Sequence, residues 1–129
     1  MSITYKTTST GTNIIYRHQI YPTQNIYKDK IYKGYETYIP RSLIEYMNTN
    51  TIHIYIQDEE YRISPVTPTT LEKYHTIKIK QNNMINIPIS IIPDNADHII
   101  YTLNMNKVDI NTGRLGEITL KIIGDDNTI

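Results

Sequence analysis

Two stretches of this chain read as the same small module, and a repeated unit restricts a fold more than any single residue can. Tyr35–Pro65 reads YETYIPRSLIEYMNTNTIHIYIQDEEYRISP, and the segment from about Lys80 to Gly124 contains NMINIPISIIPDNADHIIYTLNMNKVDI. Each has an alternating strand that ends in Ile-Pro, at Ile39-Pro40 and Ile87-Pro88. A short apolar segment, a polar break and a second strand follow. The pattern predicts two half-units that share one core. A chain of 129 residues is one domain, or two very small ones packed together, and can bury a real core. The expected division is an N-terminal β extension over 1–34, the first repeat over 35–65, and a linker with a second, divergent repeat over 66–129.

Composition supports strands. Ile is about a fifth of the chain, with 12 Tyr and no Phe, Trp or Cys. β-Branched and aromatic residues fit a pleated, half-buried surface. Ile, Asn, Lys and Tyr have AT-rich codons, which fits an AT-rich virus or mobile element, although Phe, equally AT-rich, is missing. Without cysteine there is no disulfide, thiol chemistry or Cys-bound zinc. The start, MSITYKTTSTGT, has no basic region leading into an apolar run, and no stretch is long enough to span a membrane. The expectation is a soluble, intracellular protein, cytoplasmic in a host cell or carried in a virion.

Read along the chain, Asn13–Tyr21 is a strand that Pro22 closes, and Asn25–Lys33 is a second strand or hairpin arm with Gly34 as a turn or bulge. Pro40 suits the start of a helix. Arg41–Met47 places Leu43, Ile44 and Met47 on one face and is the one convincing helix; Asn48-Thr49-Asn50 ends it. Thr51–Gln57 alternates, with Ile52, Ile54 and Ile56 on one face and His53 and Tyr55 on the other. Asp58-Glu59-Glu60 is a solvated hairpin turn. Ser64–Thr70 reads as the linker and Leu71–His75 as one helical turn. Thr76–Lys80, Met84–Ile87, His98–Met105 and Leu115–Ile123 are strands, with Asn106–Gly116 a long connecting turn.

The first module resembles the AbrB/SpoVT swapped-hairpin family, which includes transition-state regulators and many antitoxins. The resemblance lies in Thr37-Tyr38-Ile39-Pro40, the short helix Arg41–Met47, the strand Ile52–Ile56, the acidic turn and Tyr61-Arg62-Ile63. It covers about thirty residues; the second repeat matches at the Ile-Pro step and the strands after it. The resemblance implies two half-units exchanging hairpins to close one β-barrel core, here within a single chain, and it implies DNA binding. The resulting fold class is mainly β: two AbrB-like β-barrel half-units, one short helix and an N-terminal β extension. The competing fold is an unrelated β-sandwich. Family DNA binders usually carry basic residues before the Ile-Pro strand and on the helix. This chain has Glu36, Ile44 and Glu45 near those places, which removes phosphate-neutralising charge.

The chemistry of the remaining residues excludes more than it suggests. Formal net charge is zero, but residues 1–35 are basic. His18, His53, His75 and His98 are scattered and make no short-spaced metal pair. Asp94, Asp97 and His98 read as a loop cap. Thr112–Glu117 lacks the Lys-Ser/Thr pair of a phosphate loop. No catalytic residue, metal site or cofactor is expected, and the protein is not expected to be an enzyme. The first functional expectation is a DNA-binding transcriptional regulator with Lys28, Lys30, Lys33 and Arg41 on phosphates. The second is a structural or protein-interaction component, of a virus particle or directed against a host protein, because tyrosines interleaved with lysines also suit a protein interface. Self-association through residues 3–21 is expected, and no membrane partner.

Overall fold

The computed structural model describes residues 2–8, 11–68 and 73–124. Nine strands are present among them: β1 Ser2–Thr8, β2 Gly11–Tyr27, β3 Lys30–Tyr38, β4 Thr51–Gln57, β5 Glu60–Ser64, β6 His75–Lys78, β7 Met84–Asn86, β8 Ala96–Val108 and β9 Leu115–Gly124. Helix α1, Arg41–Met47, follows β3, and a 3-10 turn, Ile89–Ile91, follows β7. The mainly-β expectation with one short helix holds.

The strands run in the order β6-β4-β5-β9-β8-β2-β3-β7, with β1 on the side of β2, and every neighbouring pair is antiparallel. The ends of this sheet, β6 and β7, are successive in the chain, and Lys80 N–H donates to Met84 O across the turn between them at 2.9 Å. An eight-stranded sheet is thereby brought nearly to a closed barrel. Closure covers edges that an open sheet would leave unpaired.

The repeat reappears as an approximate two-fold arrangement. Around the ring β2 corresponds to β6, β3 to β7, β4 to β8 and β5 to β9. The two Ile-Pro strands lie side by side, with Thr37 opposite Ile85. Ile39 N–H donates to Asn83 O and Ile87 N–H to Tyr35 O, both at 2.9 Å. Each isoleucine thus bonds the carbonyl four residues before the other. The second symmetric seam pairs β5 with β9, Arg62 opposite Thr119. Ile39, Ile52, Ile54, Ile63, Ile85, Ile99 and Tyr101 fill the interior, each at most 2 % exposed.

The segment preceding the first repeat is more than an extension. β2 is part of the barrel wall, and its Tyr16 and Ile20 belong to the core. The strand does not close at Pro22 but runs on to Tyr27, opposite Tyr35 and then Lys30. Proline is tolerated because β8 has ended at that height, so β2 is an edge strand there. The turn is made by Lys28 and Asp29 at φ 51° and 64°, not by Gly34. Gly34 lies within β3, where a Cβ would come within 3.1 Å of Thr23 Oγ1. The β4–β5 turn is built the same way, with Asp58 and Glu59 at φ 53° and 64°.

Other boundaries shift by a few residues. β8 covers Ala96–Val108, longer than His98–Met105, and the connecting turn is correspondingly shorter. His75 opens β6 and Lys73-Tyr74 are not helical. Leu71, the Thr69-Thr70 end of the expected linker and the acidic Asp125-Asp126 lie outside the described residues.

Candidate functional site

The antiparallel ring fixes which features share an end. α1, the β6–β7 turn and the loop between β8 and β9 lie at one end. The 3-10 turn, the β4–β5 turn and the tip of the β2–β3 hairpin lie at the other. The end holding α1 is sealed. Leu43 and Met47 are buried, Asn48 caps the helix at φ 53° with its N–H on Ile44 O, and the Tyr46 hydroxyl donates to Leu115 O. The equivalent place at the far end holds three residues of 3-10 turn, too short to cover the same area. Ile56 shows the consequence. It shares a strand face with Ile52 and Ile54 as expected, yet it is 54 % exposed because nothing among the described residues covers it. A cleft lined by Ile54, Ile56, Tyr61 and Ile91 opens there, next to one lined by Ile92, Leu120 and Ile122.

From the same end rises a two-stranded arm. β8 pairs with β2 only from Asn13 to Gln19, and β7 pairs with β3 only from Glu36 to Tyr38. Past those points the ribbon of Tyr21–Tyr27 and Lys30–Tyr35 has no third strand among the described residues. About seven residues at 3.3 Å each give it roughly 20 Å of reach. Ile26, Tyr27, Ile31 and Tyr32 are 72, 62, 57 and 52 % exposed. Side chains alternate faces. Ile26 and Ile31 therefore share the face that carries the buried Ile20 and Thr37 below, while Tyr27, Lys30 and Tyr32 share the other. Two strands alone are marginal in water.

The expected cation set is not brought to one place. Lys28 and Lys30 stand at the arm's tip, with Lys28 Nζ 5.4 Å from the Tyr27 ring centroid. Lys33 lies partway down and points to the opposite face from Lys30. Arg41 begins α1 at the other end of the barrel and pairs with Glu45 at 3.1 Å.

A charged pair that no local motif announced lies on the outside of the β5–β9 seam. Arg62 Nη1 meets Glu117 Oε2 at 2.5 Å, both side chains buried, with Asp58 3.7 Å from Nη2. Arg62 Nε has no partner among the described residues. The loop after β8 covers this face: Asn111 Nδ2 donates to the Tyr55 hydroxyl at 2.9 Å. Burial pushes the Tyr55 phenol up, and nearby Asp109 adds to the shift. This arrangement pins a loop and presents no free reactive group. Both ring nitrogens of His98 are engaged: Nδ1 faces Asp97 at 2.9 Å and Arg17 meets Nε2 at 2.5 Å. Among the described residues no group of three His, Asp or Glu side chains is placed to hold a metal, and no helix is long and apolar enough to cross a membrane.

Burial also lowers the pKa of His18, which points inward beside Tyr38 and Tyr101, and of His53, which bonds Thr76 Oγ1 at 3.0 Å. The fold thus favours the neutral imidazole of each, relative to the unfolded chain, whose imidazoles protonate near 6.5. Below that pH the unfolded chain binds more protons, so stability is complete above it and declines as pH falls. Urea midpoints are expected to drop between pH 7.5 and 5, and to drop less in a His18→Leu, His53→Gln variant. An equal drop in both proteins would remove the histidines from this effect.

No family model, curated protein or solved structure matches the chain, and what it does has to be argued from these surfaces.

Proposed function

We propose that this chain is a non-enzymatic protein-interaction module that grips a protein surface with its β2–β3 arm. The observation that carries the reading is the arm's exposed Ile26, Tyr27, Ile31 and Tyr32 on a ribbon whose edges no strand among the described residues pairs. Isolated apolar residues on a surface mean little, but four on one projecting ribbon mark a contact. Those edges add main-chain hydrogen bonding to what the arm offers. A structural role in an assembly, in a cytoplasm or a virion, belongs to this reading.

DNA-binding regulation is the second reading. A two-stranded ribbon fits a major groove, and Lys28, Lys30 and Lys33 lie on the arm. The AbrB-like order of strand, Ile-Pro, helix and hairpin over 35–65 supports it as well. Against it stand Arg41, tied to Glu45, and Glu36, tied to Lys80 at 2.9 Å.

A photo-reactive amino acid at position 32, irradiated in the cells that make the protein, is expected to give protein adducts. Nucleic-acid adducts alone, with a low-salt gel shift lost on Lys28→Ala, Lys30→Ala and Lys33→Ala together, would replace this reading by the second.

A further inference from the structure

We propose that the arm's target is a second copy of this chain: each arm lies across the open barrel mouth of the other copy and reaches its acidic β4–β5 turn. This rests on the protein-interaction reading and names the partner.

Three observations on the structure converge. The first is placement. Arm and open mouth are at the same end of the barrel. Around the ring the arm's strands β2 and β3 lie opposite β4 and β5. The turn Asp58-Glu59 therefore stands across the mouth from the root of the arm. When two copies meet end to end about a two-fold axis that runs along the line from arm root to acidic turn, the two roots come together, and each arm laid across the other's mouth brings its tip over the other copy's acidic turn. Both contacts then form together and the assembly closes on itself.

The second is reach and shape. Eight strands about 4.8 Å apart enclose a ring roughly 15–18 Å across once tilt is included. An arm of roughly 20 Å spans it. Ile26 and Ile31 lie on the face continuous with the barrel interior, and no residue among the described ones covers them. The mouth offers the matching surface in the exposed Ile56 and the half-buried Ile92 and Ile122. Each partner covers the apolar residues that the other leaves in water.

The third is charge. The arm carries Lys28, Lys30 and Lys33 against Asp29. The rim it would meet carries Asp58, Glu59 and Glu60, all exposed. Lys73 and Lys121 also line the clefts. The acidic groups are concentrated in the β4–β5 turn, so the arm is drawn toward that side of the mouth and the register of the contact is set. Salt should weaken the pairing.

The test uses the full chain, with light scattering across a dilution series and circular dichroism to confirm the fold. The wild type is expected to be a dimer. Lys28→Glu with Lys30→Glu is expected to raise its dissociation constant ~100-fold, as is Glu59→Lys with Glu60→Lys. All four changes in one chain should restore the dimer, because each reversed arm then meets a reversed turn. Ile26→Asp, exposed in the monomer, should give a folded monomer. A wild type that is monomeric at every soluble concentration overturns the proposal, and so does a dimer that every variant retains. In the cross-linking experiment at position 32, adducts to a different protein overturn self-pairing and leave the interaction function standing. Nucleic-acid adducts alone overturn both.

Discussion

Replacing Glu117 with alanine is expected to destabilise the protein by about 3–5 kcal/mol, the usual cost of leaving one member of a buried ion pair alone. Arg62 is 8 % exposed, and its Nε already has no partner among the described residues. The nearby Asp58 carboxylate, 3.7 Å away, is itself solvated and takes over little. The informative control is the double variant Arg62→Met, Glu117→Leu. Removing both charges ends the desolvation cost together with the attraction, and this variant is expected within about 1 kcal/mol of wild type. Urea unfolding of the three proteins measures it. A Glu117→Ala loss under about 1 kcal/mol would show that water reaches Arg62 and that the pair is not dry.

The sealed end supplies the second large effect. Leu43 is fully buried under α1, and Leu43→Ala is expected to cost about 2–5 kcal/mol through lost transfer energy and the cavity left behind. For a chain of this size that lowers the melting temperature by roughly 10 °C. Gly116→Ala is expected to act on the same contact from the other side. Its φ of 111° is open to glycine but strained for alanine, and an added Cβ would run into the Tyr46 hydroxyl. Ile110→Ala in the loop between β8 and β9 is the comparison: a residue 60 % exposed and outside the core should leave the melting temperature unchanged. A Leu43→Ala protein that melts like wild type would mean that α1 does not seal the barrel.

Where local rules acted alone, the sequence was readable. α1 followed from Leu43, Ile44 and Met47 at helical spacing with Asn48 to end it. The two Ile-Pro steps announced a repeat, and the barrel places them side by side. The arm was harder. Alternation marks a strand only when one face is buried, and residues 24–33 bury neither. Its turn gave no signal because Lys28-Asp29 takes left-handed backbone angles that usually call for Asn-Gly. Proline at 22 read as a stop because the sequence does not say where a strand loses its neighbour. Arg62 and Glu117 are far apart in the chain and share no motif. The cation group failed as a group for a simple reason: strand periodicity turns Lys30 and Lys33 to opposite faces, and the length of β3 carries Arg41 to the far end. Ile56 misled because period two identifies a face, not whether anything covers it.

Carrying both half-units in one chain has a consequence for growth. A barrel assembled from two identical chains must have two identical ends. If each end bore an arm and an open mouth, every particle would be bifunctional and end-to-end joining would continue into a filament. Here the halves have been free to diverge, and seven residues of helix stand at one end where three residues of 3-10 turn stand at the other. Under the proposed self-pairing the sealed end would work as a chain terminator: each molecule would have a single sticky end, and joining would stop at two.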